Sequence, residues 1–470
     1  MNIMNEILQS IDQAIVAYND YVGGYALLIL LIPTGLFFIF KMKFLNITKL
    51  GHSINVVRGS YDRAEDKGDI NHFGALSTAL SATVGTGNIV GVALAIHFGG
   101  PGAVFWMWIT GFLGMILKYV ECTLSNKYRQ FNSDGSVSGG PMYYMEYGLK
   151  DKLGRFARIL ALIFAVATMI CSLGTGNMAQ SNSISDALMT NYAVPSWLTG
   201  LILTTLVLLV IVGGIKRIAE VTSRLVPVMA VLYFLSALVV LVANYNDVPQ
   251  AFQLIFHDAF TGTAATGGFV GSTFMMTLLW GVRRGLFSNE AGQGSAAIAH
   301  AAARTKYPAR EGLVASVGPL IDTLIICTLT ALLIIVTGTW DSGEKGVGMT
   351  ILGLSKGLTS LGIEHTGRHI VAIGLLLFAF STMISWSYYG SRAANYLIGE
   401  KSIKPYSYVF GLFVFLGSIW GIDLVWNFVD MVITFMTIPN LIALLLLAPV
   451  AWSETKKYFA QMEKIKYRPD

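Results

Sequence analysis

The sequence contains few charged residues for its length. Asp, Glu, Lys and Arg make up only 13% of the 470 residues, whereas 54% are hydrophobic and the mean hydropathy is +0.61. A soluble domain needs a far larger share of polar surface, so this composition excludes a soluble protein. It predicts a polytopic membrane protein whose main surroundings are the lipid bilayer.

Cysteine and histidine are also scarce. The three cysteines (Cys122, Cys171 and Cys327) lie within hydrophobic segments, which excludes a disulfide framework and a cysteine metal motif. The seven histidines are scattered, and none stands beside a Ser or Cys in the spacing of a nucleophile and its base. The sequence therefore gives little support to the alternative of an intramembrane enzyme.

Basic residues are missing from the first 23 positions and frequent in the segment after the first hydrophobic run. The positive-inside rule then predicts an N-terminus outside the cell and a C-terminus in the cytoplasm. Without a basic leader, the first run is expected to be an anchor helix and not a cleavable signal peptide. The net charge of +5 reflects this bias in a protein of the plasma (inner) membrane, and not binding to nucleic acid.

Many hydrophobic segments are long enough to cross a bilayer. A hydrocarbon core of ~30 Å takes about 20 helical residues, and by this measure we predict an all-α protein with eleven transmembrane helices. We expect an N-terminal helix with a basic loop (1–71), two sets of five core helices (72–244 and 245–450) and a basic cytoplasmic tail (451–470). The predicted helices cover residues 22–40, 72–97, 102–125, 156–188, 197–214, 222–243, 268–302, 311–337, 367–397, 405–421 and 423–449.

Polar residues concentrate in four of these helices, which are the first and third of each set of five. Because five is odd, the two sets would have opposite orientations in the membrane, as in transporters built from inverted repeats with a broken first helix. The polar segments are SATVGTGN (81–88), CSLGTGNMAQSNS (171–183), WGVRRGLFSNEAGQGS (280–295) and FSTMISWSYYG (380–390).

Glycine-rich segments at membrane depth have more than one interpretation. A broken helix exposes amide N–H groups at one end and carbonyl groups at the other, which suit a carboxylate and Na⁺ respectively. Glycines also allow helices to pack closely, and broken helices also line ion channels. Four polar clusters in one chain favour a transport site, and an ion channel stays open as an alternative.

Five longer motifs are distinctive. They are TVGTGNIVGVA (83–93), GGPGAVFWMWITGFLG (99–114), SGGPMYYM (138–145), GLFSNEAGQGSAAIAHAAA (285–303) and IDTLIICTLTAL (321–332). In these motifs the chain resembles the alanine or glycine:cation symporter family. The resemblance implies a leucine-transporter fold with one additional N-terminal helix. It also implies symport of small neutral amino acids with Na⁺, or with H⁺, by a protein that works as a monomer. Serine or glutamine as substrate stays open.

The resemblance further implies a substrate site at the two helix breaks. The backbone of residues 85–87 would receive the amino-acid carboxylate, and Asn289 with nearby carbonyls would face the ammonium group. Gln180 would project its amide toward the same centre, unless it only bonds two helices together, and Trp386 would form a wall of the pocket. The substrate-binding residues implied in this way are Gly85, Thr86, Gly87, Asn88, Gln180, Phe287, Ser288, Asn289 and Trp386.

A sodium site is implied beside the first break. It would consist of the carbonyls of Ser81 and Val84 and the hydroxyls of Ser381 and Thr382. Na⁺ is a hard cation, so ligands that are all oxygen suit it. The alternative is that these hydroxyls only bond back to their own helix.

Several charges fall inside predicted helices, where an unpaired charge costs several kcal/mol. We predict an ion pair of Glu290 with an arginine of the same helix, with Arg284 preferred over Arg283. The alternatives are a gate residue and a direct contact of an arginine with the substrate carboxylate. Asp322 is expected to be a buried hydrogen-bond acceptor, with a proton-linked group as the alternative. Lys118 and Glu121 are expected to form an i,i+3 pair. Gln293 stands where relatives are expected to have an apolar residue.

Overall fold

The computed structural model describes residues 13–63, 65–133, 135–261, 270–420 and 422–466. This part of the chain is almost entirely helical, as its composition predicts. The start of the predicted helix 268–302 and the last residues of the predicted tail lie outside the described residues.

The first half of the chain forms helices α1 to α12 and one short antiparallel hairpin of strands β1 (Gln130–Phe131) and β2 (Val137–Ser138). A π turn (Asn19–Gly23) precedes α1. The helices are α1 Gly24–Lys41, α2 Leu45–Thr48, α3 Leu50–Val57, α4 His72–Thr83, α5 Val92–Gly99, α6 Ala103–Tyr128, α7 Pro141–Gly148, α8 Lys150–Leu153, α9 Arg155–Leu173, α10 Ala179–Tyr192, α11 Ser196–Ile211 and α12 Gly214–Ala243.

The second half forms helices α13 to α21, with 3₁₀ turns at Tyr245–Asp247, Thr339–Asp341, Thr359–Leu361 and Glu400–Ser402. A π-helical segment (Leu320–Cys327) joins α16 to α17. The helices are α13 Val248–Thr261, α14 Val270–Asn289, α15 Ser295–His300, α16 Pro308–Pro319, α17 Thr328–Val336, α18 Val347–Gly357, α19 Thr366–Ile398, α20 Ile403–Ile419 and α21 Ile422–Lys466.

Two helices are interrupted where the sequence places glycine clusters. After α4, Val84 takes an extended conformation (φ −77°, ψ 90°), and the chain re-enters helix at an angle of 51° through a π turn (Gly87–Gly91) that leads into α5. After α14, Glu290, Gly292 and Gly294 have positive φ angles of 55°, 86° and 79°. An L-residue in this left-handed region cannot continue a right-handed helix, so α14 ends and α15 starts separately.

Counted by helix length and composition alone, the membrane spans in the structure are fewer than the eleven that the sequence predicts. Within the described residues, eight helices are long and apolar enough, and the bent pair of α4 and α5 brings the number to nine. The predicted helix 197–214 is represented by α11, which has only 16 residues. The predicted helix 268–302 is divided by the second break. Eight to nine spans are thus established, and eleven stays a prediction.

The last helix is longer than predicted. α21 continues past the predicted helix 423–449 to Lys466 as one helix of 45 residues, so that most of the segment predicted as the basic tail is helical. The reason is that this end of α21 packs on the protein. The Tyr119 and Thr455 hydroxyls are 2.7 Å apart, and Tyr458 OH is 2.8 Å from Nε2 of His52 in α3.

Candidate functional site

The backbone at the first break already has side-chain partners. The amide N–H of Gly85 donates to Oδ1 of Asn88 at 2.9 Å, and the amide N–H of Thr86 donates to Oε1 of Gln180 at 3.3 Å. These are two of the amides that the sequence assigns to a carboxylate. A carboxylate would therefore bind them in exchange for the side-chain oxygens, and Gln180 is the partner that comes from another helix.

The two breaks touch each other through glycine. A Cβ atom on Gly87 would lie 3.1 Å from Cδ1 of Phe287 and 3.2 Å from Cα of Ser288. A Cβ atom on Gly85 would lie 3.3 Å from Oε1 of Gln180. Gly87 needs to lack a side chain because the second break approaches it, and Gly85 because a Cβ atom there would overlap the Thr382 hydroxyl of α19.

The third polar segment joins the same site. A π turn (Gly174–Met178) connects α9 to α10, and Gln180 bonds back to it by donating from Nε2 to the carbonyl of Thr175 at 3.0 Å. Trp386 of α19 is fully buried and lies directly against Gly176, where any side chain would overlap the indole. Gln180 and Trp386 therefore meet around one turn.

Three of the four predicted sodium ligands converge between α4 and α19. The hydroxyls of Thr382 and Ser381 lie 3.1 Å and 3.3 Å from the carbonyl oxygen of Ser81. Both hydroxyls also bond to the carbonyl of Phe378 in their own helix, at 3.0 Å and 2.8 Å. Val84 is buried at the end of α4. These oxygens form a donor set that fits a hard monovalent cation.

Asn88 and Ser288 belong to a buried network that the sequence did not reveal. The Nδ2 group of Asn88 donates to Oδ1 of Asp322 at 2.7 Å, and the Ser288 hydroxyl donates to Oδ2 of Asp322 at 2.8 Å. The Cys327 thiol contacts both residues. Asp322 thus binds the first break to the second and is a hydrogen-bond acceptor, as predicted. The side chains of Asn88 and Ser288 support the site through this network.

The structure places Glu290, and not Asn289, against Trp386. Oδ1 of Asn289 accepts from the amide of Ala291 at 2.9 Å, and its side chain lies beside Gly114 of α6. Glu290 accepts a hydrogen bond from Trp386. The left-handed turn at Glu290 explains why Glu290 takes the place expected of Asn289. It rotates the Glu290 side chain out of the helical repeat that the sequence pattern assumes.

The predicted ion pair of Glu290 with Arg284 is wrong. Arg284 lies before the break and forms a 2.5 Å ion pair with Asp430 of α21, whereas Glu290 lies after the turn that redirects it. Arg283 donates to the backbone carbonyl of Asn19 in the π turn before α1. Arg284 thus attaches α14 to α21, and Arg283 attaches α14 to the π turn before α1.

The predicted pair of Lys118 and Glu121 is also not formed in the described chain. Oε1 of Glu121 accepts from Nδ2 of Asn440 at 2.7 Å and from the amide of Gly294 at 3.1 Å. The prediction used only the i,i+3 spacing, and in the structure both residues are buried, at 2% and 0% exposure, with Glu121 bonded to α21. Gln293 is buried as well and donates from Nε2 to the carbonyl of Leu286 at 3.0 Å, which closes the end of α14.

The ion pair of Arg284 and Asp430 should contribute measurably to stability. Their side chains are 3% and 19% exposed, and the Arg284 guanidinium also stacks 5.1 Å from the centre of the Trp280 ring. We expect Arg284→Ala to cost about 3–5 kcal/mol, because Asp430 would keep a partly buried charge without its partner. Thermal unfolding in detergent measures the loss.

The matched control is the double variant Arg284→Met with Asp430→Leu. It removes both charges and should recover much of the stability that the single variant loses. An equal loss in the single and double variants would show that Arg284 acts by its packing and not by its charge.

Comparison with known proteins identifies the family. A model of the sodium:alanine symporter family matches residues 8–469. The sodium/alanine symporter AgcS of Methanococcus maripaludis is 44% identical over 443 residues, which cover 94% of this chain and 95% of AgcS. The probable sodium/glutamine symporter GlnT of Bacillus subtilis is 37% identical over 457 residues, which cover 96% of this chain and 92% of GlnT.

A solved structure supports the fold independently. The crystal structure of MhsT in complex with L-phenylalanine superposes with a TM-score of 0.54 at 13% identity, over 82% of this chain and 99% of MhsT. The fold is therefore that of the leucine transporter. The family consists of symporters, which are multi-pass membrane transporters and not enzymes. The chain belongs to the sodium:alanine symporter family.

Proposed function

We propose that this protein is a secondary active transporter that carries a small neutral amino acid, alanine or glycine, into the cell together with Na⁺ by alternating access. The observation that carries the proposal is the convergence of the Ser81 carbonyl with the Ser381 and Thr382 hydroxyls beside a broken helix. The relative AgcS, named a sodium/alanine symporter, supports both the cation and the substrate.

The amino acid would bind where the two breaks and the turn between α9 and α10 meet. The amides of residues 85–87 would hold its carboxylate after Gln180 gives way, and Phe287 and Trp386 would bound the space for its side chain. The glycines support this assignment, since they bring backbone within reach of a ligand. Asn88 and Ser288 would hold the two breaks in place, and Asn289 would contribute through its backbone carbonyl.

The cation would bind beside this site between α4 and α19. The carbonyls of Ser81 and Val84 and the hydroxyls of Ser381 and Thr382 would form its oxygen cage. A cation held there would join the end of α4 to α19 and stabilise the first break in its binding geometry. This gives a physical reason why the amino acid and the cation would bind together.

The electrochemical gradient of Na⁺ supplies enough free energy for accumulation. One charge that moves through ~100 mV gains roughly 2.3 kcal/mol, and a tenfold concentration gradient adds about 1.4 kcal/mol. Together these correspond to a substrate gradient of roughly 500-fold. H⁺ coupling would use the same potential and is the alternative for the cation.

The proposed architecture keeps the finer features of the sequence prediction. It has eleven membrane helices, of which ten form two inverted sets of five within residues 72–244 and 245–450. The N-terminus lies outside and the C-terminus lies in the cytoplasm, in the plasma membrane. The interrupted helices α4–α5 and α14–α15 support this arrangement, because they correspond to the first predicted membrane helix of each set. The protein would function as a monomer.

The decisive experiment is uptake of radiolabelled alanine into proteoliposomes with Na⁺, Li⁺ or choline outside and no pH gradient. The proposal expects accumulation above the outside concentration with Na⁺ alone. Accumulation only with an imposed pH gradient would assign the coupling to H⁺. Equilibration without accumulation would favour a channel. Accumulation of glutamine but not alanine would indicate the larger substrate that the name of GlnT suggests for that relative.

A further inference from the structure

Glu290 occupies a special position at the second break. It is the only residue other than glycine with a positive φ angle between residues 270 and 420, and its side chain is 2% exposed. A left-handed conformation at a residue with a side chain is unfavourable, by about 1–3 kcal/mol. A buried carboxylate in a membrane adds a further cost of several kcal/mol. Both costs indicate that the surroundings hold this side chain in place.

Each carboxylate oxygen of Glu290 has one donor. The indole Nε1–H of Trp386 donates to Oε1 at 2.8 Å, and the hydroxyl of Ser295 donates to Oε2 at 2.6 Å. The first bond reaches α19, and the second reaches the start of α15. The carboxylate therefore joins the second break to the helix that carries two of the proposed cation ligands.

The charge of Glu290 also has a counterpart in the protein interior. Lys118 of α6 is 2% exposed, so this helix carries a buried positive charge. The α6 face that carries Lys118 also carries Gly114 and Glu121, both of which contact the second break. The helix that packs against the second break therefore brings a buried positive charge into the same interior as the Glu290 carboxylate.

The indole of Trp386 is fully buried, with one face on Gly176 and the ring of Tyr389 edge-on at 5.3 Å between ring centres. These are packing contacts and give the indole N–H no partner. The bond to Glu290 is the only hydrogen bond of Nε1 in the described chain, so it fixes the position of the N–H edge of the ring.

We propose that Glu290 is a positioning residue that sets the size of the amino-acid pocket by holding the indole of Trp386. The carboxylate does not bind the substrate. It links the backbone turn of the second break to the indole of Trp386, so that the position of the turn sets the position of the indole. This inference rests on the proposed function, in which Trp386 bounds the space for the substrate side chain.

The test is a double-mutant cycle between Glu290→Ala and Trp386→Phe. The readout is the ratio of alanine uptake to glutamine uptake in proteoliposomes, with the amount of reconstituted protein measured in each preparation. We expect Glu290→Ala to change this ratio by about fivefold or more, a size typical of coupled neighbours. In the Trp386→Phe background, which has no indole N–H, the same change should alter the ratio by less than about twofold.

Two further variants separate positioning from general structural damage. Glu290→Gln keeps an oxygen that accepts from the indole and should restore the wild-type ratio, which a merely structural loss would not do. Glu121→Ala is the matched control, because Glu121 is equally buried at the same break but bonds to Asn440 and Gly294. Its effect on the ratio should be equal in both Trp386 backgrounds.

The inference is overturned if Glu290→Ala changes the ratio equally in the two backgrounds, or not at all. The thermal midpoints of the four cycle members in detergent give a second measure that needs no substrate. If the thermal midpoints show coupling between the two substitutions but the wild type takes up no amino acid, the proposed function is refuted and the link between Glu290 and Trp386 is supported. If Glu290→Ala does not fold, Glu290→Asp, whose carboxylate is too short to reach the indole, replaces it.

Discussion

Thr382→Ala should raise the Na⁺ concentration for half-maximal alanine uptake by roughly tenfold or more. The variant removes a hydroxyl that lies 3.1 Å from the carbonyl of Ser81 between α4 and α19. A ligand oxygen to a charged group contributes about 1.5–3 kcal/mol, which corresponds to roughly 10- to 150-fold in affinity. Initial uptake rates over a series of Na⁺ concentrations at constant ionic strength measure the effect.

The control for this prediction is Thr382→Ser. Serine keeps the hydroxyl and loses only a methyl group, so the Na⁺ dependence should stay within about threefold of the wild type. Unchanged Na⁺ dependence in Thr382→Ala would refute the proposed cation site. A loss of uptake in both variants, with normal protein amounts, would indicate instead that the methyl group packs in an essential contact.

Gly87→Leu should abolish transport. The Cβ atom alone would lie 3.2 Å from the backbone Cα of Ser288 and 3.1 Å from the ring of Phe287. Backbone at a packed break cannot move aside as a flexible side chain can, and overpacking of this kind costs about 1–3 kcal/mol or more. The two breaks would separate, and the proposed carboxylate site would lose its geometry. Uptake and substrate binding by the purified protein measure both effects.

Gly91→Ala provides the matched comparison on the same helix turn. A Cβ atom there would lie 3.8 Å from Phe287 and 4.0 Å from Arg284, which are ordinary contact distances. This variant should transport at close to the wild-type rate. Normal transport by Gly87→Leu would contradict the close approach of the two breaks at the substrate site. Equal loss in both variants would indicate that any added volume in this turn prevents movement.

Much of the fold follows from local features of the sequence. The hydrophobic runs locate most of the membrane helices, and the glycines in GTGN (85–88) mark the first break. The second break begins at Glu290, whereas residues 287–289, to which the sequence assigned it, form the last turn of α14. Both signals are local, because a helix needs a minimum apolar length and left-handed residues end it. The extension of α21 to Lys466 was missed, because its last turns are stabilised by contacts with α3 and α6 and not by hydrophobic length.

Some contacts of the candidate site are expected from the sequence, and others are seen only in the tertiary structure. The meeting of Gln180 with Thr86 follows from the resemblance, and the structure brings them within hydrogen-bond distance. The side chains of Asn88 and Asn289 have partners in the protein that the resemblance did not imply. Asn88 uses its amide for Asp322, and Asn289 turns toward α6. Residue type alone does not distinguish a ligand from a residue that supports one.

Composition and short-range backbone preference were enough to establish the membrane class, the approximate spans and the first break. The partners of the buried charges could not be derived in this way. Arg284 and Asp430 are 146 positions apart, and Glu290 and Trp386 are 96 positions apart. Which of them meet depends on how the helices pack and on one left-handed turn, and the helical repeat assumed from the sequence pointed Glu290 to the wrong partner.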